Sequence, residues 1–328
     1  MAKVKKLKTA VVGIGNMGRH HVRNYFEIEN SDLIAITDLN EELGKEYADK
    51  YKCRYYKDYN EMIEVEKPDA VSIVVPSKFH HKVGKEILSK GIHCLIEKPI
   101  ATTIEEAKDL IKTAKSNNAK LKIGHIERFN PGVVKLKELI DKGKLGNITS
   151  IIARRVGIYP PQIKDANVII DLAVHDIDII NYLLGKKPNK VYSNGGRAII
   201  GNREDYAEIF LKYGNISGYV QVNWITPVKI RSVAVTGTKG YAELNYVTQK
   251  LQLFYSQYSK VRDDFGDFVI KFGEPEKEDV KVENQEPLRA EIESFLDSIA
   301  KDKEVVTSGE EGLEALTIAL KAIKEISK

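Results

Sequence analysis

The stretch TAVVGIGNMG, Thr9 to Gly18, decides the fold. An apolar run, Ala10-Val11-Val12, leads straight into Gly13-Ile14-Gly15-Asn16-Met17-Gly18, a G-x-G-x-x-G pattern where a strand should give way to a helix. Each glycine has its own physical reason. Gly13 permits the tight turn out of the strand, and Gly15 puts no side chain between the backbone amides and an approaching pyrophosphate. Gly18 lets helix and strand pack closely. The amides that open the helix, with the positive end of its dipole, favour an anion there. The pattern alone is weak, so its surroundings carry the reading.

Those surroundings agree. A second apolar run, Leu33 to Thr37, ends in Asp38, where a βαβ unit places the acid that holds the adenosine ribose. A carboxylate there accepts from both ribose hydroxyls and repels a 2′-phosphate, so NAD is expected and NADP is the less favoured cofactor. The competing reading of Asp38 is a plain turn residue. The nearly continuous apolar run Ala70 to Val75 predicts a parallel strand covered on both faces. Pro76-Ser77-Lys78-Phe79-His80 follows at its carboxyl end, the edge where ligands sit in open α/β sheets. His93-Cys94-Leu95-Ile96 then delivers Glu97-Lys98-Pro99 to the same edge. Pro99 biases Lys98 towards extended backbone, which would aim its ammonium at the nicotinamide end of a bound dinucleotide. Helices are expected over 18–28, 40–50, near 61–64 and from 80 to about 90, closed by Gly91. Tyr55-Tyr56 reads as an irregular piece. Thr102 or Thr103 caps a further helix, Leu121 to Ile123 is the last strand, and Gly124 is the domain boundary.

A chain of 328 residues predicts two domains with sizeable cores. Hydrophobic residues at 42% and charged residues at 30% describe an ordinary globular protein. The net charge of +4 is spread along the chain and makes no footprint for nucleic acid. Lys3 to Lys8 reads as a solvated lead-in, with no apolar stretch after it to make a targeting sequence. No run reaches the ~18 apolar residues of a membrane span, so a cytoplasmic protein is expected. Cys53 and Cys94 read as reduced thiols, and the neighbours His20-His21 and His80-His81 cannot share a helix face. No metal is expected.

In the second half, Asn130 is a helix N-cap and Pro131 a first helical residue, predicting a helix over 131–141. Strands are expected over 148–156, 190–199, 206–211, 216–224, 230–235, 241–246 and 251–255. Such a succession with short turns makes a largely antiparallel sheet. The fold class is therefore α/β: an N-terminal Rossmann dinucleotide-binding domain over 1–124, and a C-terminal α+β domain with an open, mostly antiparallel sheet for substrate binding and oligomerisation over 125–328, whose C-terminal helix is able to pack back on the first domain. A helix over 166–184 interrupts the strands. Asp171 and His175, four residues apart, share one face of it, with Asp178 about a turn further. A carboxylate beside an imidazole stabilises the imidazolium and orients the ring. The alternative is a dipole-favoured Asp and a structural His. Beyond it, 256–286 is charged and expected to hold a loop and a strand, and helices are expected over 287–301 and 309–328. Ser308 with Glu311 makes a capping box for the last one, and Leu313, Leu316, Leu320 and Ile323 make its apolar stripe.

The glycine loop, Pro76 to His80, Glu97-Lys98-Pro99 and Asp171 to Asp178, in this order, resemble the Gfo/Idh/MocA oxidoreductases over nearly the full length. Val75-Pro76-Ser77 stands where many relatives have Thr-Pro-Asn, a mild departure. The resemblance implies NAD-dependent oxidation of a secondary alcohol on a sugar or polyol, with Lys98, Asp171 and His175 catalytic. It implies a cofactor set of Gly13, Ile14, Gly15, Asn16, Met17, Gly18, Asp38, Pro76, Ser77, His80, Glu97 and Lys98. It also implies a homodimer or homotetramer built on the uncovered sheet face. Gly124 to Pro131 and Arg154 to Pro161 are similar to the branch of the family that oxidises C3 of UDP-N-acetylglucosamine. A UDP-sugar substrate is the further implication, with Lys98, Arg128, Asn130, Arg154, Arg155, Tyr159, Asn167, Asp171 and His175 as its contacts. Guanidinium forks suit the diphosphate, though strand alternation sends Arg154 and Arg155 to opposite faces, so at most one touches ligand. Other readings remain open. They are a dehydrogenase of a free polyol, reduction of an imine or enamine on the same scaffold, and a non-catalytic regulator that binds NAD or nucleotide sugar.

Overall fold

The computed structural model describes residues 6–159, 166–262 and 268–327. Lys3 of the basic lead-in and Pro160 and Pro161 of the arginine motif lie outside the described residues. The chain divides into two compact units, Met1–Phe129 with Gln285–Thr317, and Asn130–Asn284 with Ile318–Lys328.

The first unit alternates strand and helix: β1 (Leu7–Val12), α1 (Gly18–Glu27), β2 (Ser31–Thr37), α2 (Glu41–Tyr51), β3 (Arg54–Tyr56), α3 (Tyr59–Glu66), β4 (Ala70–Ile73), α4 (His80–Leu88), β5 (His93–Glu97), α5 (Ile104–Ser116) and β6 (Leu121–Gly124). The strands pair in parallel in the order β3-β2-β1-β4-β5-β6. That is the doubly wound order, and its direction reverses between β1 and β4, where a ligand crevice opens at the carboxyl ends. Tyr55-Tyr56, expected to be irregular, is instead the edge strand β3, paired with Ile36 and Thr37 of β2. Three residues are too short to show a period. The helix ends follow the side-chain chemistry: Asn40 caps α2, Asp58 caps α3, and Thr103 with Glu106 makes a full capping box on α5.

The expected cut at Gly124 differs from this division, because α8 (Pro287–Ala300) returns to the first unit. Its Leu288, Ile292, Phe295 and Leu296 join Val22, Tyr25 and Ile28 in one core. The chain after it runs along the free edge of β6, where the Ile123 amide donates to the Thr307 carbonyl at 2.8 Å. Ser308 and Glu311 then form the expected box at the start of α9 (Gly309–Ile326). On α9 Ala315, Leu316, Ala319 and Ala322 are fully buried, so of the expected stripe Leu316 is in the core while Leu313, Leu320 and Ile323 are half-buried, and small residues make up most of the rest.

The same edge buries a lysine. Lys122 is 0% exposed, donates to the Val306 carbonyl at 2.9 Å and lies 4.1 Å from the Phe129 ring centre. Burial pushes its ammonium down to about 8, with Arg128 adding to the effect and Glu291 and Glu311 opposing it. The unfolded lysine titrates near ~10.4, so between the two values the unfolded chain holds more protons. Stability from this residue should therefore rise with pH across that window. Melting temperatures of the wild type and Lys122→Met are expected to move apart in favour of the wild type between pH 8 and 10. A pH-independent difference would contradict the assignment.

The second unit holds α6 (Pro131–Asp141), β7 (Ile148–Val156), a π-helical turn (Ile169–Ala173), α7 (Val174–Leu184), β8 (Lys190–Gly196), β9 (Tyr206–Tyr213), β10 (Ile216–Asn223), β11 (Ile230–Gly237), β12 (Tyr241–Asn245), β13 (Leu251–Tyr255), β14 (Tyr258–Arg262), β15 (Phe268–Phe272) and β16 (Glu276–Val280). Its large sheet runs β16-β13-β12-β11-β7-β10-β9-β8, antiparallel except for the parallel pair β7·β10. One face is core: Ile151 and Ala153 of β7, Val220 and Val222 of β10 and Val233 and Val235 of β11 pack with Ile169, Ile177 and Ile180. Among the described residues the other face is uncovered, and the register aligns Tyr192, Phe210, Tyr219 and Ile152 in one row across it. Among the described residues no helix is long and apolar enough to cross a membrane, and no group of three or more His, Cys, Asp or Glu side chains could hold a metal ion.

Candidate active site

The glycine loop has the geometry its residues predict. Gly13 has φ +88°, and a Cβ on it would stand 2.6 Å from the Val74 carbonyl oxygen. A Cβ on Gly18 would stand 2.0 Å from the Gly13 carbonyl oxygen, so the close approach that excludes side chains here is within the loop itself. Around Gly15 a Cβ would meet nothing within 4 Å, the open space a pyrophosphate needs. Helix α1 starts at Met17 with no side-chain cap and no acid in its first turn, leaving its amides to an anion. Arg19, not singled out from sequence, donates to Asn16 Oδ1 at 2.7 Å and adds a cation at this loop.

Asp38 makes the bonds of a turn residue at the end of β2. Its Oδ2 accepts the Ile14 amide at 2.8 Å, and its Oδ1 accepts the Asn40 amide at 2.8 Å. It therefore ties the glycine loop to the end of β2, and each oxygen keeps a lone pair for a ribose hydroxyl. Asp38→Ala should raise the NAD KM by roughly tenfold or more, because a charged hydrogen-bond acceptor is lost, and should narrow the preference over NADP. Unchanged NAD and NADP constants would contradict this.

At the next edge position, Pro76 is exposed, Ser77 half-buried and His80 1% exposed. The His80 ring faces the Pro99 carbonyl from Nδ1 at 2.7 Å and the Val75 carbonyl from Nε2 at 2.8 Å. It braces the loop after β4 against the turn after β5. The Lys98–Pro99 peptide of that turn is cis. Lys98 itself is half-buried, and its amide donates to Glu97 Oε2 at 3.2 Å.

Behind Glu97 runs a buried chain of polar groups. Tyr25 Oη lies 2.9 Å from Ser72 Oγ, Ser72 Oγ 3.0 Å from His21 Nδ1, and His21 Nε2 3.1 Å from Glu97 Oε1. Burial alone would raise the Glu97 carboxyl. The His21 hydrogen bond and the charges of His21, Lys98 and His80 outweigh it and hold the group below the usual carboxylate range. With Glu97 ionised, His21 donates to it from Nε2. Burial pushes the Tyr25 phenol up, which keeps its proton in place. His21 lies 76 residues from Glu97 in sequence, and no local pattern could have joined them.

In the second unit, Asp171 lies in the π-helical turn and His175 in the first turn of α7. Both are half-buried, while Leu172, Ala173, Val174 and the run Asp176 to Ile180 are buried. The helix thus shows these two functional groups on a length otherwise given to core. Asn167 starts the turn, accepting the Ile170 amide at 3.0 Å and donating to Glu204 Oε2 at 2.9 Å. Asp178 is 2% exposed.

The candidate phosphate ligands separate sharply. Arg155 is 5% exposed and forms a two-point fork to Asp176, Nε to Oδ2 at 2.8 Å and Nη2 to Oδ1 at 3.0 Å, with Tyr246 under its guanidinium at 5.0 Å. Arg128, 7% exposed, pairs with Glu311. The Arg155 fork thus occupies Nε and Nη2, and Glu311 occupies Nη1 of Arg128. Arg154 points to the exposed face and donates to Gln221 Oε1 at 3.1 Å. Asn130 caps α6 through Gly132 and donates to the Tyr246 carbonyl at 2.9 Å. Tyr159 accepts from Arg203 at 2.7 Å and packs edge-on against Trp224, with ring centres 5.4 Å apart.

The arrangement fits NAD: a cradle with open space for a pyrophosphate, an uncapped helix start and a ribose acid. Comparison with known proteins agrees. Residues 7–125 match the oxidoreductase family with an NAD-binding Rossmann fold, and residues 133–243 match the GFO/IDH/MocA C-terminal domain. UDP-N-acetylglucosamine 3-dehydrogenase of Acidithiobacillus ferrooxidans is 30% identical over 315 residues, covering 96% of this chain and 95% of that protein. Its solved structure superposes with a TM-score of 0.84 over 98% of each chain at 28% identity. Inositol 2-dehydrogenase of Salmonella typhimurium is 27% identical, covering 77% of this chain and 78% of that protein. With both units matched in order, the chain belongs to the Gfo/Idh/MocA family and is an NAD-binding oxidoreductase.

Proposed function

We propose that the protein oxidises a secondary hydroxyl of a nucleotide sugar, C3 of UDP-N-acetylglucosamine, to the ketone. The observation that carries this reading is the end-to-end similarity to the Acidithiobacillus ferrooxidans enzyme, at 30% identity over 96% of the chain. The inositol dehydrogenases support a second reading, oxidation of a free polyol with the same catalytic residues.

NAD, when bound, supplies the hydride acceptor. The residues of the chain handle the proton and the charge. His175 takes the hydroxyl proton, because an imidazole titrates near the working pH. Asp171, on the same stretch of helix, orients the ring and the neighbouring sugar hydroxyls. The Lys98 ammonium hydrogen-bonds the reacting oxygen and stabilises its developing negative charge, and the chain Tyr25–Ser72–His21–Glu97 holds the backbone that carries it. A homo-oligomer formed through the row Tyr192, Phe210, Tyr219 and Ile152 belongs to the same proposal, and light scattering of the purified protein tests it. The position of oxidation is tested with UDP-N-acetylglucosamine deuterated at C3. A primary isotope effect and transfer of the label to the nicotinamide are expected, and label retained in the sugar product would exclude C3.

A further inference from the structure

The turn that carries Lys98 is held from behind by a histidine to which the reaction itself gives no role. His21 comes from α1 and is 0% exposed, and its Nε2 stands 3.1 Å from Glu97 Oε1. Ser72 Oγ, 3.0 Å from Nδ1, holds the other side of the ring. Glu97 Oε2 accepts the Lys98 amide at 3.2 Å. On a third side runs β6, where a Cβ on Gly124 would stand 3.0 Å from the carboxylate carbon and from both its oxygens. One carboxylate thus joins the first helix, the turn and the neighbouring strand, and each of its oxygens takes an N–H.

Stability alone does not account for a carboxylate at this place. Burying the charge is costly, and a buried charged pair can often be exchanged for apolar side chains at little net cost. Here the charge is nonetheless kept. Burial works against it, and the hydrogen bond and charge of His21 lead the groups that counter burial, ahead of the charges of Lys98 and His80. Groups perturbed in this way collect at functional sites, and this one stands one residue from Lys98. The attraction between Glu97 and Lys98 is mutual, so whatever fixes the carboxylate also acts on the ammonium.

We propose that His21 is a positioning residue of the reaction: it holds the Glu97 carboxylate in place, and the carboxylate sets the Lys98 ammonium against the reacting oxygen. The inference rests on the role given to Lys98 above and adds the residues that place it. Rates are taken on the full-length protein with whichever of UDP-N-acetylglucosamine and myo-inositol the wild type oxidises, so the test stands under either substrate reading. Phenylalanine at position 21 keeps a planar ring and removes both nitrogens. Glutamine gives up the ring and keeps an N–H donor at the reach of Nε2. His21→Phe should lose kcat by roughly tenfold or more, the scale of a lost hydrogen bond to a charged group, with NAD affinity unchanged, and His21→Gln should recover most of that rate. A residue that only fills space would rank the two the other way, and that ranking would overturn the proposal. Glu97→Gln keeps the shape of the side chain and removes its charge. It should lose at least as much rate, and adding His21→Phe to it should cost little more, because the histidine acts through the carboxylate. Losses that multiply in the double variant would overturn the proposal. So would a Glu97→Gln enzyme that keeps most of the wild-type rate, whether or not His21→Phe folds. A wild type that oxidises neither compound would overturn the catalytic reading and this inference with it.

Discussion

Lys98→Met should bind NAD as the wild type does and lose turnover by roughly 10³-fold, the scale of removing a group that stabilises developing oxyanion charge. Methionine keeps the length and apolar stem of lysine and removes only the ammonium. The backbone at this position is held independently of the side chain, by the 3.2 Å bond from the Lys98 amide to Glu97 and by His80 on the Pro99 carbonyl. The pocket should therefore survive the substitution. NAD affinity by fluorescence quenching and kcat by nicotinamide absorbance separate binding from chemistry. A variant that retains most of the wild-type rate would take Lys98 out of the mechanism.

Asp176→Ala should destabilise the protein by about 3–5 kcal/mol, the cost of leaving one member of a buried ion pair alone. Asp176 is 0% exposed and receives both arms of the Arg155 fork, and the pair fastens α7 to β7 one residue from His175. Activity should fall as well, through misplacement of His175. Replacing both partners together, Arg155→Met with Asp176→Leu, should recover much of the stability, because buried pairs often exchange for apolar contacts at little net cost. Urea unfolding with an unchanged m-value gives the energies directly. A single variant within about 1 kcal/mol of wild type, the range of an exposed pair, would show that the fork does not fasten the helix.

The parts of this structure legible from sequence are those with local causes. The glycine loop, the caps at Thr103 and Asn130, and the alternation along β7, β10 and β12 each reside in a few consecutive residues. The position of Asp171 and His175 on one accessible stretch follows from their spacing. The unread parts depend on partners far along the chain. Lys122 lies in a short strand, and its burial depends on the segment after α8, where Val306 accepts from it. Arg155 reads as a phosphate ligand because its sequence gives no sign of Asp176, 21 residues on. His21 and Glu97 look unrelated until the sheet brings α1 over β5. The π-helical turn Ile169–Ala173 has no compositional marker and reads as ordinary helix.

The most direct measurement follows nicotinamide absorbance after the purified protein is mixed with NAD and UDP-N-acetylglucosamine, with free N-acetylglucosamine and myo-inositol in parallel and a carbonyl trap in every sample. NADH should form with the nucleotide sugar and at least a hundredfold more slowly with either free compound, since contacts to the UDP moiety are lost to them; this is about 3 kcal/mol of transition-state binding. NADH forming with myo-inositol and not with UDP-N-acetylglucosamine would contradict the nucleotide-sugar assignment and leave a polyol dehydrogenase of the same family.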